Sequence, residues 1–222
     1  MNSKLFLRGA AFLVLAIVFL PAAARAAMLP FINEIHYDNI SFDLNEGIEI
    51  AGPAGFDFSG WSLCLYNGYD GFVYDSIPLL GTIADQQNGY GVLWFPITGI
   101  QNGAPDGIAL IDPFHAPVQF LSYEGNFTAK GGYAVGLTSD DIGVREDIPI
   151  PAAGYSLQLA GTGSMYPDFS WSGPIAGTPG TINARQAFLG TANIPEPATL
   201  SILGIGLFCL AGRNFIRKHN NK

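Results

Sequence analysis

The chain has 222 residues, a formal net charge of −8 and only 13% charged residues, set against 28 glycines and 13% aromatics. Soluble proteins carry roughly 25% charged residues; few helix-stabilising Lys and Glu beside many turn formers and β-branched and aromatic residues point to strands joined by tight turns. Charge is also segregated: between Ala27 and Ile194 stand 17 acidic residues against three basic ones, Lys130, Arg145 and Arg185, a net −14 that excludes a basic groove for nucleic acid.

The first element is an export signal. Lys4 and Arg8 precede the apolar run Ala10 to Leu20, and Ala24-Arg25-Ala26 has the small-x-small form of a cleavage site. Residues 1–26 therefore read as a secretory signal peptide, with an uncleaved anchor as the other use of such a run.

From residue 27 the pattern changes to short alternating runs between turn formers. GWSLCLYNG sets Trp61, Leu63 and Leu65 on one face and Ser62, Cys64 and Tyr66 on the other, and YGVLWFPI and DGIALIDP alternate likewise. Strands are predicted near 31–37, 47–51, 60–66, 75–83, 90–96, 107–111, 117–123, 154–160 and 168–172. Asn67-Gly68, Asp70-Gly71, Asn88-Gly89, Asn102-Gly103 and Asp106-Gly107 are pairs that tolerate positive φ and supply tight reversals. No helical period appears between Ala27 and Ile194. Short strands at this spacing predict an all-β domain over 27–186, an antiparallel β-sandwich with Trp61 facing its core, or a barrel as the alternative closure. Residues 131–151, poor in packable side chains, read as a long exposed loop, and 187–194 as a linker.

The last segment, 195–222, has three parts. Pro195 and Pro197 flank Glu196 and keep a helix from running upstream. Ala198 to Ala211 is apolar throughout, about 21 Å long as a helix and so shorter than a hydrocarbon core of about 30 Å. On length alone it is also compatible with a buried core helix. Arg213, Arg217 and Lys218 follow directly, the positive-inside pattern of a membrane stop, which favours a short transmembrane helix with its basic end in the cytoplasm.

Candidate chemistry is sparse. His36 and His115 have no second His or Cys at metal-ligand spacing, and His36 lies in a strand-like run that favours a partly buried or edge residue. Cys64, also in an alternating strand, reads as a packed hydrophobe, and processing of both ends leaves it without a disulfide partner. Ser164 in GTGSMYP lacks the glycine of a nucleophile elbow. Asp140, Asp141, Glu146 and Asp147 cluster in a loop whose oxygens suit Ca²⁺, yet their spacing matches no EF-hand, and a solvated acidic loop is the plainer reading. No cofactor is expected, Ca²⁺ being the one candidate, and no metal ligand set is assigned. Tyr66, Tyr69, Phe72 and Tyr74 around the 67–71 turn are either sugar-stacking aromatics or core.

Two resemblances add to this reading. INEIHYDN, EGIEIAGPAG, DFSGWSLCLYNG, APDGIALID and FSWSGPIAGTPGTIN, in that order, resemble a lamin-tail domain over Leu29 to Gln186, which implies an Ig-like β-sandwich. Within it Glu34, Glu46 and Glu49 are expected to make structural hydrogen bonds. Gly47 departs from members that carry an aromatic between the acidic residues. Bacterial lamin-tail domains often accompany extracellular nucleases, but this chain has no segment for such a catalytic domain, and domain company does not transfer activity.

Pro195-Glu196-Pro197, the apolar span and the basic end resemble the PEP-CTERM sorting signal of Gram-negative bacteria. That resemblance implies an exosortase as partner, transient residence in the inner membrane, removal of the tail, and a final place at the cell surface or in an exopolysaccharide matrix. The resulting expectation is a non-enzymatic surface or biofilm-matrix protein. The alternative is an extracellular hydrolase or nuclease-associated domain acting on phosphodiesters.

Overall fold

The computed structural model describes residues 28–40, 42–146 and 153–190. The predicted signal peptide, Asp147, residues 191–194 of the linker and the whole 195–222 segment lie outside the described residues. Among the described residues no helix is long and apolar enough to cross a membrane; the predicted Ala198 to Ala211 span is not among them.

The described residues fold as two β-sheets with one three-residue 3₁₀ turn, Tyr166–Asp168. The strands are β1 (Phe31–His36), β2 (Gly47–Pro53), β3 (Ser62–Asn67), β4 (Phe72–Pro78), β5 (Tyr90–Pro96), β6 (Asp106–Ile111), β7 (Pro117–Tyr123), β8 (Asp140–Asp141), β9 (Tyr155–Gly163), β10 (Phe169–Ala176) and β11 (Gln186–Phe188). One sheet runs β10-β9-β1-β2-β5 with β11 added to β9, and the other runs β4-β3-β6-β7-β8. Their facing side chains share one core: Ile32, Ile35, Ile48, Ile50 and Leu157 from the first, Leu63, Leu65, Ile108, Leu110 and Leu121 from the second. That is a sandwich, not a barrel. Trp61 caps this core at its β3 edge, where its ring meets Phe56 and Phe58 edge-on.

The sheets are mixed where sequence predicts antiparallel pairing only, because β8 runs parallel to β7 and β11 parallel to β9. β4 lies earlier than the predicted 75–83. Its ladder stops at Pro78, and the chain then crosses beneath Trp61, with Leu79 N–H donating to Trp61 O and Ile83 N–H to Phe56 O. Asp106-Gly107, predicted as a turn, opens β6. Asn88-Gly89 behaves as predicted, with both residues at positive φ between the bridged Gln87 and Tyr90. β11 also places residues 186–188 inside the fold, across the boundary predicted for the linker.

The central strands β1, β2, β3 and β6, predicted to be half-exposed, are buried on both sides, because each outer face has a cover. On the β3-β6-β7 face, Cys64, Tyr66, Ala109, Ile111 and Phe120 pack against Ala129 and Ala134. Residues 127–139 form a folded flap, closed by the Thr128–Thr138 bridge and by Ala134 N–H donating to Tyr66 Oη (3.0 Å). The exposed loop predicted from Gly131 therefore begins inside a lid. On the β9-β1-β2 face the cover is the segment 177–186.

Gly47 is explained by its neighbour. A Cβ there would run into the Trp94 indole and the Phe95 carbonyl, so an aromatic from β5 occupies the space that a side chain at 47 would take.

Candidate functional site

β1 carries the polar interior. A bulge at Asn33 shifts the β1–β2 register so that Glu34 stands directly opposite Glu49, which puts two buried carboxylates on one face. Like charges opposed across a ladder are unfavourable, and the pair is stabilised by donors from the 177–186 cover. Glu34 Oε1 accepts from Ser156 Oγ (2.7 Å) and Thr178 N–H (2.9 Å), and its Oε2 from Thr178 Oγ1 (2.8 Å). Glu49 accepts from Asn33 Nδ2 (2.9 Å) and Gly180 N–H (2.7 Å). Burial, with the Glu34 charge adding to it, pushes the Glu49 carboxyl up to about 8 against the Asn33 and Gly180 bonds, so at neutral pH Glu49 is largely protonated. Asn183 and Gln186 complete the set by donating to Asn33 O and Asn33 Oδ1. Glu34 and Glu49, expected from the sequence to make structural hydrogen bonds, thus converge on one network with Asn33 and Gly180, which lie in the quoted INEIHYDN and FSWSGPIAGTPGTIN segments.

Glu46 is apart from it. Its Oε2 accepts from Gly99 N–H (2.7 Å), its Oε1 is buried without a partner, and burial raises its pKa.

At the far end of β1, His36 is fully buried rather than at an edge. Its Nδ1 lies 3.0 Å from Glu146 Oε1, and its Nε2 3.1 Å from Leu44 O. Glu146 Oε2 accepts from the N–H groups of Tyr37 and Asp38, and Glu146 N–H donates to Tyr37 Oη. Burial works to lower the His36 pKa, and the Glu146 hydrogen bond and charge, the Leu44 carbonyl and Asn39 together outweigh it and raise it. Glu146 was expected on a solvated acidic loop. It is instead turned inward, because three donors from β1 and its following turn give its charge better solvation than the loop would. It is thereby removed from the proposed Ca²⁺ set. Asp140 and Asp141 are exposed on β8, and no group of three or more His, Cys, Asp or Glu among the described residues could hold a metal. Glu146 carried no signal in sequence: its partner lies 110 positions away.

The remaining candidates separate. Cys64 is buried against Ser76 Oγ (3.6 Å), and burial pushes its thiol up, away from the reactive thiolate. Ser164 Oγ donates to Leu189 O (2.6 Å). His115 stacks on Tyr133 in the β6–β7 turn. Of the four aromatics at the 67–71 turn, Tyr66 is wholly interior, and Tyr74 is half-buried with its Oη accepting from Gln101 N–H (2.9 Å). Only Tyr69 and Phe72 face solvent. Tyr69 stands at the rim of a cleft of about 280 Å³ lined by Asn67, Gln101, Asn102 and Asp106.

Both ends of the described chain emerge at the opposite end of the sandwich. Tyr90 Oη donates to Met28 Sδ (2.7 Å), and the Tyr90 ring stacks on Phe188 at 5.1 Å. Leu189 N–H then donates to Gly163 O. Beside this exit is a groove of about 320 Å³ lined by Met28, Leu29, Phe31, Val118, Met165 and Tyr166 among others, with no charged residue in its wall.

No curated protein and no solved structure matches the chain. Pro195, Glu196, Pro197 and the basic Arg213, Arg217 and Lys218 lie outside the described residues, but all fall within the stretch that a family model matches. Residues 193–218 match the PEP-CTERM protein-sorting motif, which marks the chain as an exported surface protein whose C-terminal signal is processed by an exosortase.

Proposed function

We propose that this chain is a non-enzymatic surface or extracellular-matrix protein, a lamin-tail-type Ig-like sandwich carried out by residues 1–26 and sorted by residues 195–222. The carrying observation is the sorting motif at 193–218, three positions after the last described residue of the sandwich, Gly190. Pro195-Glu196-Pro197 is the tripeptide that the exosortase reads and near which it cleaves. The two prolines keep it extended and stop the following helix from running into it. Ala198 to Ala211 holds the precursor in the inner membrane, and Arg213, Arg217 and Lys218 keep its end cytoplasmic.

The sandwich acts by binding rather than catalysis. What supports this is that His36, Glu34, Glu49 and Glu146 spend their hydrogen-bonding capacity on the fold, and that Cys64 is packed. Exopolysaccharide is the matrix component it meets, with Tyr69 as the exposed stacking surface. A net −14 over residues 27–194 leaves no counterion-releasing surface for nucleic acid.

Mass spectrometry of the protein taken from the surface of its host tests this reading. The expected mature chain lacks RNFIRKHNNK, and Glu196→Ala leaves it attached. Retention of that peptide in the native surface protein makes the tail a plain anchor and overturns the sorting proposal. Metal-dependent cleavage of a phosphodiester by the purified protein overturns the non-enzymatic one.

A further inference from the structure

Two exposed apolar surfaces occupy opposite ends of the sandwich, and the chain path distinguishes them. β1 sets the axis, its five residue steps from Phe31 to His36 spanning about 17 Å. Beyond His36 the β1–β2 turn exposes Ile40, Phe42 and Leu44 with the exposed Asp43 among them, while Asp38, Glu46 and Glu146 of that end are buried. At the Phe31 end the exposed apolar residues are Leu29, Met165 and Leu189, each 55% accessible, around the uncharged groove. The turn that presents Met165 is fixed, since Asp168 Oδ2 accepts from Ser164 N–H and Met165 N–H (2.8 Å each) and so directs its charge back into its own turn. An uncharged apolar rim suits a lipid surface, and the far end differs from it by the exposed Asp43 carboxylate.

We propose that this rim, Leu29, Met165 and Leu189 with the groove between them, is the membrane-facing surface of the sandwich in the unprocessed precursor, seated on the outer leaflet of the inner membrane. The occupant follows from the length of chain beyond the exit. Eight residue steps separate Gly190 from Ala198, and a fully extended chain covers at most about 28 Å over that distance. Five steps reach Pro195, at most about 18 Å. The exit end is therefore held near the bilayer, while the Phe42 end stands a strand length farther out. Seating the rim on lipid fixes the height of the Pro195-Glu196-Pro197 tripeptide above the membrane, which is what an enzyme embedded in that membrane requires of its substrate. This rests on the reading of Ala198 to Ala211 as the membrane-spanning part.

The test uses the full precursor, isolated from a host lacking the exosortase and reconstituted into phosphatidylethanolamine/phosphatidylglycerol vesicles with brominated acyl chains. An environment-sensitive fluorophore is placed on Met165→Cys or Phe42→Cys, each combined with Cys209→Ser, or on the native Cys209. Brominated lipid is expected to quench the probe at 165 to about half its intensity, quench that at 209 more strongly, and leave that at 42 unchanged. Adding Leu29→Ser and Leu189→Ser to Met165→Cys is expected to reduce quenching at least twofold. Quenching at 209 without quenching at 165, or equal quenching at 42 and 165, overturns the rim while leaving the membrane span intact. No change on the double Ser substitution shows that the tether alone holds this end near lipid, and also overturns the proposal. No quenching at 209 overturns the membrane span itself, and the rim with it.

Discussion

The two outer faces of the sandwich are covered by different physics. Over β3, β6 and β7 the flap of residues 127–139 seals an apolar layer, with Tyr66 and Phe120 against Phe127, Ala134 N–H donating to Tyr66 Oη and Lys130 N–H to Gly71 O. Over β9, β1 and β2 the segment 177–186 seals a polar layer, in which Glu34, Glu49, Asn33 and Asn183 satisfy one another and the cover's backbone. An apolar seal loses stability in proportion to the volume removed from it. A polar seal loses it in proportion to the number of groups left unpaired, and it is sensitive to pH.

Removing volume from the apolar seal gives the largest expected effect. Tyr66→Ala deletes a fully buried ring and is expected to cost about 3–5 kcal/mol in denaturant unfolding, with faster amide exchange concentrated at Ala134 and Ala129. Unchanged exchange there would show that the flap is held independently of Tyr66. In the polar seal, Glu34→Ala strands two donors, Ser156 Oγ and Thr178 N–H, while Thr178 Oγ1 keeps Asn183 Oδ1 (3.0 Å) as acceptor, and is expected to cost about 2–4 kcal/mol. It also removes the charge facing Glu49.

The pH dependence sharpens the contrast. The Glu49 carboxyl is raised in the fold to about 8 from an ordinary 4.5, so its contribution is complete below pH 4.5, falls as pH rises, and is exhausted above about 8. His36, raised above 6.5, acts in the same direction as pH rises past that value. Melting curves are expected to show greater stability near pH 5 than near pH 8, with a slope of up to about 1.4 kcal/mol per unit from Glu49. Glu49→Gln should flatten the Glu49 part of that slope. An equally steep slope in the variant would place the titration elsewhere. The smallest expected effect is Tyr66→Phe, which keeps the ring and leaves Ala134 N–H unpaired, at about 1 kcal/mol by the same denaturant assay.

The strand alternation was readable because apolar side chains at every second position record one buried face, and Leu63, Leu65, Ile108 and Leu110 lie where that period puts them. The second buried face was not readable. Tyr66 and Cys64 alternate outward from the core, and only the flap, contributed from some 65 residues away, turns outward into inward. β8 and β11, of two and three residues, are too short to show a period. Glu34 and Glu49 were expected to make structural hydrogen bonds, but their opposition comes from a one-residue bulge that no local pattern announces. Glu146 was missed for a related reason: a carboxylate between Arg145 and Asp147 looks solvated until its donors 108 to 110 positions away are known.

The central place of β1 has a consequence for timing. A chain exported N-terminus first delivers β1 before any other strand, and β2 joins it within a few residues. Its other neighbour, β9, begins only at Tyr155, and the cover that satisfies Glu34 and Glu49 comes later still, at Thr178 and Gly180. Until those residues arrive, a pair of carboxylates sits on an open strand edge, and contacts of such long sequence separation are the slow ones to form. The closing strand, β11, ends at Phe188, five positions before the sorting motif begins. In a chain exported in that direction, completion of the domain and emergence of the sorting motif are thus nearly one event: the last strand becomes available to dock only as the motif follows it.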